Sequence, residues 1–326
     1  MPSSISNSEA QSHSIAAHSK PPRYLEAPIA LLLSLSMFCG ALEITTRAGF
    51  GKISRVESRV AADYKAALSI TGNNTAGSVL LAGNSLLLED VDVPQLRNSL
   101  PSGLKITRFA IEQTQYLDWY FGLKRLFAQG VRPKLVVLCM NASHLISGQI
   151  RGDYSSYYLF RLADIPEIRR DAGYNLTKAS DLVFAHFSLF YAGRTPLRNF
   201  VLLRSDPAYG QLLHDLATVS AKLPPDGDME RIATSRLTDL RLLCAAHNAN
   251  FVFLLPPGFG RGEEAIMNAG THSEAAVFVP IHLNDLPQTM FRDGFHLNAE
   301  GARICTEKMT EFLREQADSG GLLTHY

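Results

Sequence analysis

The chain has 326 residues, 46% of them apolar, and its 31 basic and 31 acidic side chains cancel to a formal net charge of zero. That is enough chain for one large α/β domain or two smaller ones. A neutral balance with no basic run argues against an electrostatic nucleic-acid footprint, so no nucleic-acid partner is expected. Four cysteines, Cys39, Cys139, Cys244 and Cys305, lie far apart among apolar neighbours. They read as buried small hydrophobes rather than a zinc or redox pair.

Residues 1–23 are rich in Ser, Ala, Asn and Gln without an apolar period, which predicts a disordered tail. Residues 24–46 hold the most hydrophobic stretch, the run 27–42. That run is slightly short of the ~20 residues of a membrane span, but Tyr24, Leu25 and Ile44 extend it. Three readings compete: a signal anchor, a cleaved signal peptide, and a core helix. The anchor reading leads. Lys20 and Arg23 precede the run and Arg47, Lys52 and Arg55 follow it, so flanking charge does not set orientation. The domain is expected outside the cytoplasm, on the periplasmic or extracellular side, because the span is N-terminal and no second one follows. Secretion is the alternative. Residues 47–77 predict a helical stalk, or a cover on the domain, and a linker. Val56, Val60, Ala61, Tyr64 and Leu68 recur at helical spacing, and a turn-rich break follows at 71–77.

From residue 78 the chain alternates strand and helix. Apolar runs at 78–82, 104–111, 133–140, 250–255 and 276–281 predict five strands. The runs 79–82 and 135–140 lack polar alternation, as expected of parallel strands buried on both faces. Helices are predicted after residue 85 and at 119–128, 229–248, 263–269 and 299–316. The fold class is α/β, a three-layer α/β/α sandwich with a parallel five-stranded sheet. Residues 148–225 break the alternation with aromatic clusters and short helical periods. They predict a helical insertion after strand three, either a lid over the strand tips or a second helical layer. The main domain is then 78–147 with 226–316, and 317–326 is a C-terminal tail.

Two stretches carry the chemistry. Val79-Leu80-Leu81-Ala82-Gly83-Asn84-Ser85 delivers a serine to the tip of the first strand, where ligands bind in open α/β sheets. Asp293-Gly294-Phe295-His296-Leu297-Asn298-Ala299-Glu300-Gly301 places an aspartate three positions before a histidine at the opening of the last helix. A serine hydroxyl needs a base within hydrogen-bond reach, and an imidazole titrating near neutrality needs a group to orient it. Ser85 is the expected nucleophile, His296 the base and Asp293 its orienter. Alone, each stretch also fits a helix cap. The backbone N–H groups of Asn84 and Ser85, opening a helix, are free to point at an oxyanion.

Together the two stretches resemble the SGNH (GDSL-like) hydrolase and acyltransferase superfamily, whose Gly-Asp-Ser motif corresponds to Gly83-Asn84-Ser85 and whose Asp-x-x-His motif corresponds to Asp293 and His296. The resemblance spans roughly residues 78–312. It implies two further oxyanion donors, and here the sequence departs from the pattern. Gln113 stands where the second motif has Gly. Cys139-Met140-Asn141-Ala142-Ser143-His144 stands where the third has Gly-x-Asn-Asp, so Asn141 in a shifted register, Ser143, or neither supplies that donor. Asn141 capping the following turn is the plainer alternative.

His144 is a further candidate contact at the third strand's tip, with a structural histidine as the plainer alternative. The other histidines show no ligand spacing, so neither a metal nor a cofactor is expected. Glu89, Asp90 and Asp92 read as a solvated helix face. The resemblance implies acyl-ester chemistry, O-acyl transfer or ester hydrolysis, with an acetyl ester and a carbohydrate as expected substrates. The membrane segment points to polysaccharide O-acetyltransferase-like members, which often depend on a membrane acyl-donor protein. A carbohydrate esterase and a catalytically degenerate scaffold that binds polysaccharide are the alternatives.

Overall fold

The structure, a computed structural model, describes residues 26–71, 77–152, 154–206, 208, 223–257 and 262–319. The tail expected at 1–23 and the chain end from 320 lie outside the described residues. The chain divides into two units, Met1–Ile44 and Thr45–Tyr326.

Helix α1 (Glu26–Ile53) fills the described part of the first unit and runs into the second. Among the described residues it is the one helix long and apolar enough to cross a membrane. Its 27-residue candidate span Glu26–Lys52 measures ~40 Å at ~1.5 Å per residue, more than the ~30 Å of a hydrocarbon core. No residue of its most apolar window is buried. Cys39 is correspondingly exposed, unlike the three other cysteines, which are buried as expected.

The second unit is an α/β fold. Strands β1 (Ser78–Gly83), β2 (Lys105–Ala110), β3 (Leu135–Cys139), β4 (Asn250–Leu254) and β5 (Ala276–Phe278) form one parallel sheet in the order β2-β1-β3-β4-β5. The fifth strand stops short of the predicted residue 281. Pro280 has no N–H to continue the ladder. The helices are α2 (Arg55–Leu68), α3 (Ser85–Asp90), α4 (Val93–Ser99), α5 (Tyr116–Ala128), α6 (Ala142–Ile146), α7 (Ser155–Tyr158), α8 (Ile165–Asp171), α9 (Leu176–Phe187), α10 (Leu189–Ala192), α11 (Arg194–Ser205), α12 (Asp226–Ala245), α13 (Glu263–Ser273) and α14 (Ala299–Asp318). The last of these runs into the predicted C-terminal tail. Helix α4 is not expected from the sequence. It is only seven residues long and is held by its ends, with the Asp92 side chain accepting from Gln95 N and Pro94 in the first turn.

Three layers follow from the period of two in β1. Leu80 and Ala82 face a core shared with α2, α5, α12 and α13, including Val60, Trp119, Leu237 and Ile266. Val79 and Leu81 face a second core with α3, α4 and α14, including Leu86, Leu96, Met309 and Leu313. All four strand residues are completely buried, which is why the run shows no polar alternation.

The described part of the insertion is helical. It packs on α2 and α5: the Tyr158 hydroxyl donates to Glu57 Oε1 at 2.9 Å, Lys124 meets Glu167 at 2.7 Å, and Phe160 lies edge-on to Phe121.

The strand order positions the site. The chain leaves β1 for β2 on one side, then crosses back to β3 on the other. The carboxyl end of β1 is therefore a topological switch point, where neighbouring connections diverge and leave a crevice.

Candidate functional site

Ser85 stands at that crevice. It is the first residue of α3, half-buried, with Asn84 as the N-cap in extended conformation. Gly83 lets the strand tip close: a methyl group there would stand 2.6 Å from the Cys139 carbonyl oxygen. Leu86 and Leu87, both fully buried, hold the short helix to the sheet.

The Asp293–His296 stretch is not helical. It is a loop clipped by an antiparallel bridge between Phe291 and Leu297, with Arg292 N donating to His296 O at 2.9 Å and Gly294 at φ 78°. Helix α14 starts only at Ala299, capped by the Asn298 side chain on Glu300 N and Gly301 N. Within the loop Asp293 makes a local turn of its own. Its Oδ1 accepts from Phe295 N at 3.0 Å and His296 N at 2.7 Å. The three-residue spacing thus serves a side-chain-capped turn rather than a helical one.

This loop brings the three expected residues into a line. His296 Nε2 lies 3.0 Å from Ser85 Oγ, and His296 Nδ1 lies 2.9 Å from Asp293 Oδ2. Partial burial opposes ionisation of Asp293. The His296 amide, the His296 ring and the Phe295 amide outweigh it and hold the carboxyl well below the usual carboxylate range. Arg292 bridges the loop to α3 through Glu89 at 2.9 Å.

Two contributions are not visible in the sequence. Asn84 does more than offer its backbone. Its Oδ1 accepts from Leu86 N at 3.1 Å, and its Nδ2 reaches the Thr114 carbonyl at 3.0 Å and His144 Nδ1 at 2.9 Å. One buried amide thereby joins the tips of β1, β2 and β3. Burial drives the His144 pKa down to about 4, with the Arg151 and His296 charges adding to it. At neutral pH the ring is therefore uncharged. Its Nδ1 accepts from Asn84, which puts the ring proton on Nε2. His144 joins this network, as its position at the third strand's tip suggests, and its ring lies edge-on to Phe295.

The second is Asp90, where the structure corrects the expectation. Asp90 is not on a solvated face; it is completely buried. Its Oδ1 accepts from Leu297 N at 2.9 Å, while Oδ2 has no hydrogen-bond partner. Helix α3 is so short that its last residue turns back into the core beside the histidine loop. Burial, then the Glu89 and Asp293 charges, push its pKa up to about 8 against the pull of the Leu297 amide and Arg292. Glu89 and Asp92 reach solvent as expected.

The expected oxyanion residues fall as follows. Gln113 follows β2 at φ 62°, the left-handed region that glycine occupies readily. It immediately precedes Thr114, whose carbonyl receives Asn84 Nδ2. The backbone therefore keeps a glycine-like shape with a glutamine in it, at a cost of about 1 kcal/mol. Gln113→Val is expected to lower stability by ~1–2 kcal/mol while Gln113→Gly does not, because a β-branched side chain resists positive φ. Urea midpoints of the two variants check this. Asn141 caps α6, its Oδ1 accepting from His144 N and from the Ser143 hydroxyl, each at 2.9 Å. The Ser143 hydroxyl is therefore turned onto Asn141. The cap uses only Asn141 Oδ1, so its Nδ2 keeps both protons for another acceptor.

Among the described residues no cluster of His, Cys, Asp or Glu is arranged to hold a metal ion. No protein-family model matches the chain, and no curated protein is significantly similar to it.

Proposed function

We propose that this protein is a serine-dependent acyl-ester enzyme of SGNH type. The observation that carries the reading is the continuous hydrogen-bonded line Ser85–His296–Asp293, set at the switch point of a parallel sheet. In this reading Ser85 Oγ attacks the ester carbonyl carbon and its proton passes to His296 Nε2. Asp293 holds the Nδ1 proton, so the nitrogen facing serine is the basic one. The tetrahedral oxyanion takes hydrogen bonds from the Ser85 backbone N–H, the Gln113 backbone N–H and Asn141 Nδ2. His296 then returns its proton to the leaving alkoxide, leaving an acyl ester on Ser85. A second hydroxyl, from water or a sugar, loses its proton to His296, attacks the acyl carbon and regenerates the serine.

The proposed substrates are an acetyl ester and a carbohydrate hydroxyl. Support for a large acceptor comes from the openness of the site: the Asp293 side chain is 35% exposed and that of His296 18%. A polymer reaches such a site more readily than it reaches a closed pocket. The span in α1 supports membrane anchoring; the proposal places the enzyme outside the cytoplasm, beside an acyl-donor protein.

The test is turnover of a chromogenic acetyl ester by the detergent-solubilised chain, with and without oligosaccharides. Acetylated sugar formed at the expense of free acetate is the expected result. Acetate alone makes the protein a carbohydrate esterase. No turnover, with no acetyl-Ser85 detected by mass spectrometry, overturns the catalytic reading and leaves a binding scaffold.

A further inference from the structure

The insertion exposes large apolar side chains. Phe184 and Phe187 are each 60% exposed, Phe190 38%, Val201 57% and Leu203 49%. Phe184 and Phe187 are three residues apart on α9 and so share a face. Single exposed hydrophobes are ordinary on a protein surface, but two phenylalanines more than half exposed on one helix face form an apolar patch.

The charges nearby are mostly basic. From Leu176 to Ser205 the sequence holds Lys178, Arg194, Arg198 and Arg204 against a single carboxylate, Asp181. That carboxylate already accepts the Tyr191 hydroxyl. Aromatic and aliphatic side chains among arginines are the composition of helices that lie in the headgroup layer of a bilayer. Anionic lipid adds attraction for the arginines.

The chain itself indicates which surface the patch meets. Arg47 is the first basic residue after the apolar run and belongs to the same unit as the insertion. Its Nη2 donates to the Phe187 carbonyl at 2.9 Å. Three residues on, Phe50 is buried, with its ring against Gly193 between α10 and α11; a methyl group on Gly193 would stand 2.7 Å from that ring. A basic residue that closes an apolar span sits at headgroup level. Phe187, bonded to it, is then held at the same level.

We propose that the α9–α11 face of the insertion rests on the headgroup layer of the bilayer that α1 enters. The proposal rests on α1 being a membrane span, and it is independent of the catalytic reading. The contact would give the insertion a role in orientation, since a domain hung from one helix swings freely, whereas a second contact fixes its height and tilt.

The experiment uses the full chain in nanodiscs of mixed neutral and anionic phospholipid, with and without lipid brominated on its acyl chains. Single tryptophans are introduced as Phe184→Trp, Phe187→Trp, Leu33→Trp in the span and Leu242→Trp, an exposed position on α12. The native Trp119 is completely buried and supplies a constant background. The expected result is bromolipid quenching of the Phe184 and Phe187 probes at least about twofold above that of the Leu242 probe, with blue-shifted emission. Quenching of the Leu33 probe without quenching at Phe184 and Phe187 overturns the proposal and leaves the anchor standing. No quenching at Leu33 or at the patch overturns both. Shielding of the patch probes from aqueous iodide without bromolipid quenching also overturns it, and assigns the face to a second copy of the chain.

Discussion

Ser85→Ala is expected to lower acetyl-ester turnover by a factor on the order of 10⁴–10⁶, with the fold unchanged. The loss is large because Ser85 supplies the hydroxyl that stands 3.0 Å from His296 Nε2. The fold is expected to survive because Asn84, not Ser85, caps α3, and the burial of Leu86 and Leu87 holds the helix. Asp293→Asn separates orientation from nucleophilicity. Asparagine keeps an oxygen for the Phe295 and His296 amides, so the loop turn persists. Its Nδ2 then faces His296 Nδ1 and favours the tautomer with the proton on Nε2, which cannot take the serine proton. The expected loss is on the order of 10³–10⁴ in kcat. Circular dichroism and burst-phase kinetics on both variants check the pair. Retained turnover in Ser85→Ala would sink the assignment of the nucleophile.

The second large effect is expected at Asp90. This carboxyl joins the last residue of the serine helix to Leu297, the residue after His296. Asp90→Ala removes the acceptor and leaves a buried N–H unpaired, at a cost of about 2–4 kcal/mol. It also frees the loop, so kcat is expected to fall more than KM rises. Asp90→Asn keeps an oxygen for Leu297 N and is expected to restore most of the rate. A purely structural role would leave the ratio of kcat to KM effects untouched.

Asp90 also sets a pH dependence. Its folded pKa of about 8 lies above the ordinary carboxylate value of 3.8 that applies to the unfolded chain. Between those values the folded state holds a proton that the unfolded state has lost. Unfolding free energy therefore falls as pH rises through that window. His144 acts in the opposite direction: its pKa of about 4 lies below the ordinary 6.5, so its contribution is lost as pH falls between those values. Comparing wild type with Asp90→Asn cancels the histidine contribution. Relative to that variant, the wild type is expected to lose stability from about pH 5 to pH 8.5, by a few kcal/mol at roughly 1.4 kcal/mol per unit. Urea unfolding at several pH values reads this directly. A pH-independent difference would mean that Asp90 is ionised in the folded protein.

The order of elements was legible because the strands are unmistakable in their chemistry. Val79–Ala82 and Leu135–Cys139 are short continuous apolar runs, as a strand buried on both faces needs. Ser85 was legible because it follows one of them directly. Asp293 and His296 were legible because their pairing is local: a carboxylate that caps the amides two and three residues on brings its other oxygen to the histidine ring. Helix α4 was not, since seven residues carry too little period to stand out from a loop.

The sequence by itself determined the alternation of strand and helix, the apolar α1 and the local Asp293–His296 turn, because each depends on neighbours within a few positions. Only the tertiary structure decided the rest. It put Ser85 within 3.0 Å of a histidine 211 residues away, since the crossing connections leave β1 and the α14 loop at one end of the sheet. It made Asn84 a junction of three strand tips, and it buried Asp90 where its charge pattern suggested solvent. A carboxylate in Glu-Asp-Val-Asp reads as polar surface from its neighbours. Whether it meets water depends on which distant backbone N–H comes to meet it, and that is set by the packing of the whole chain.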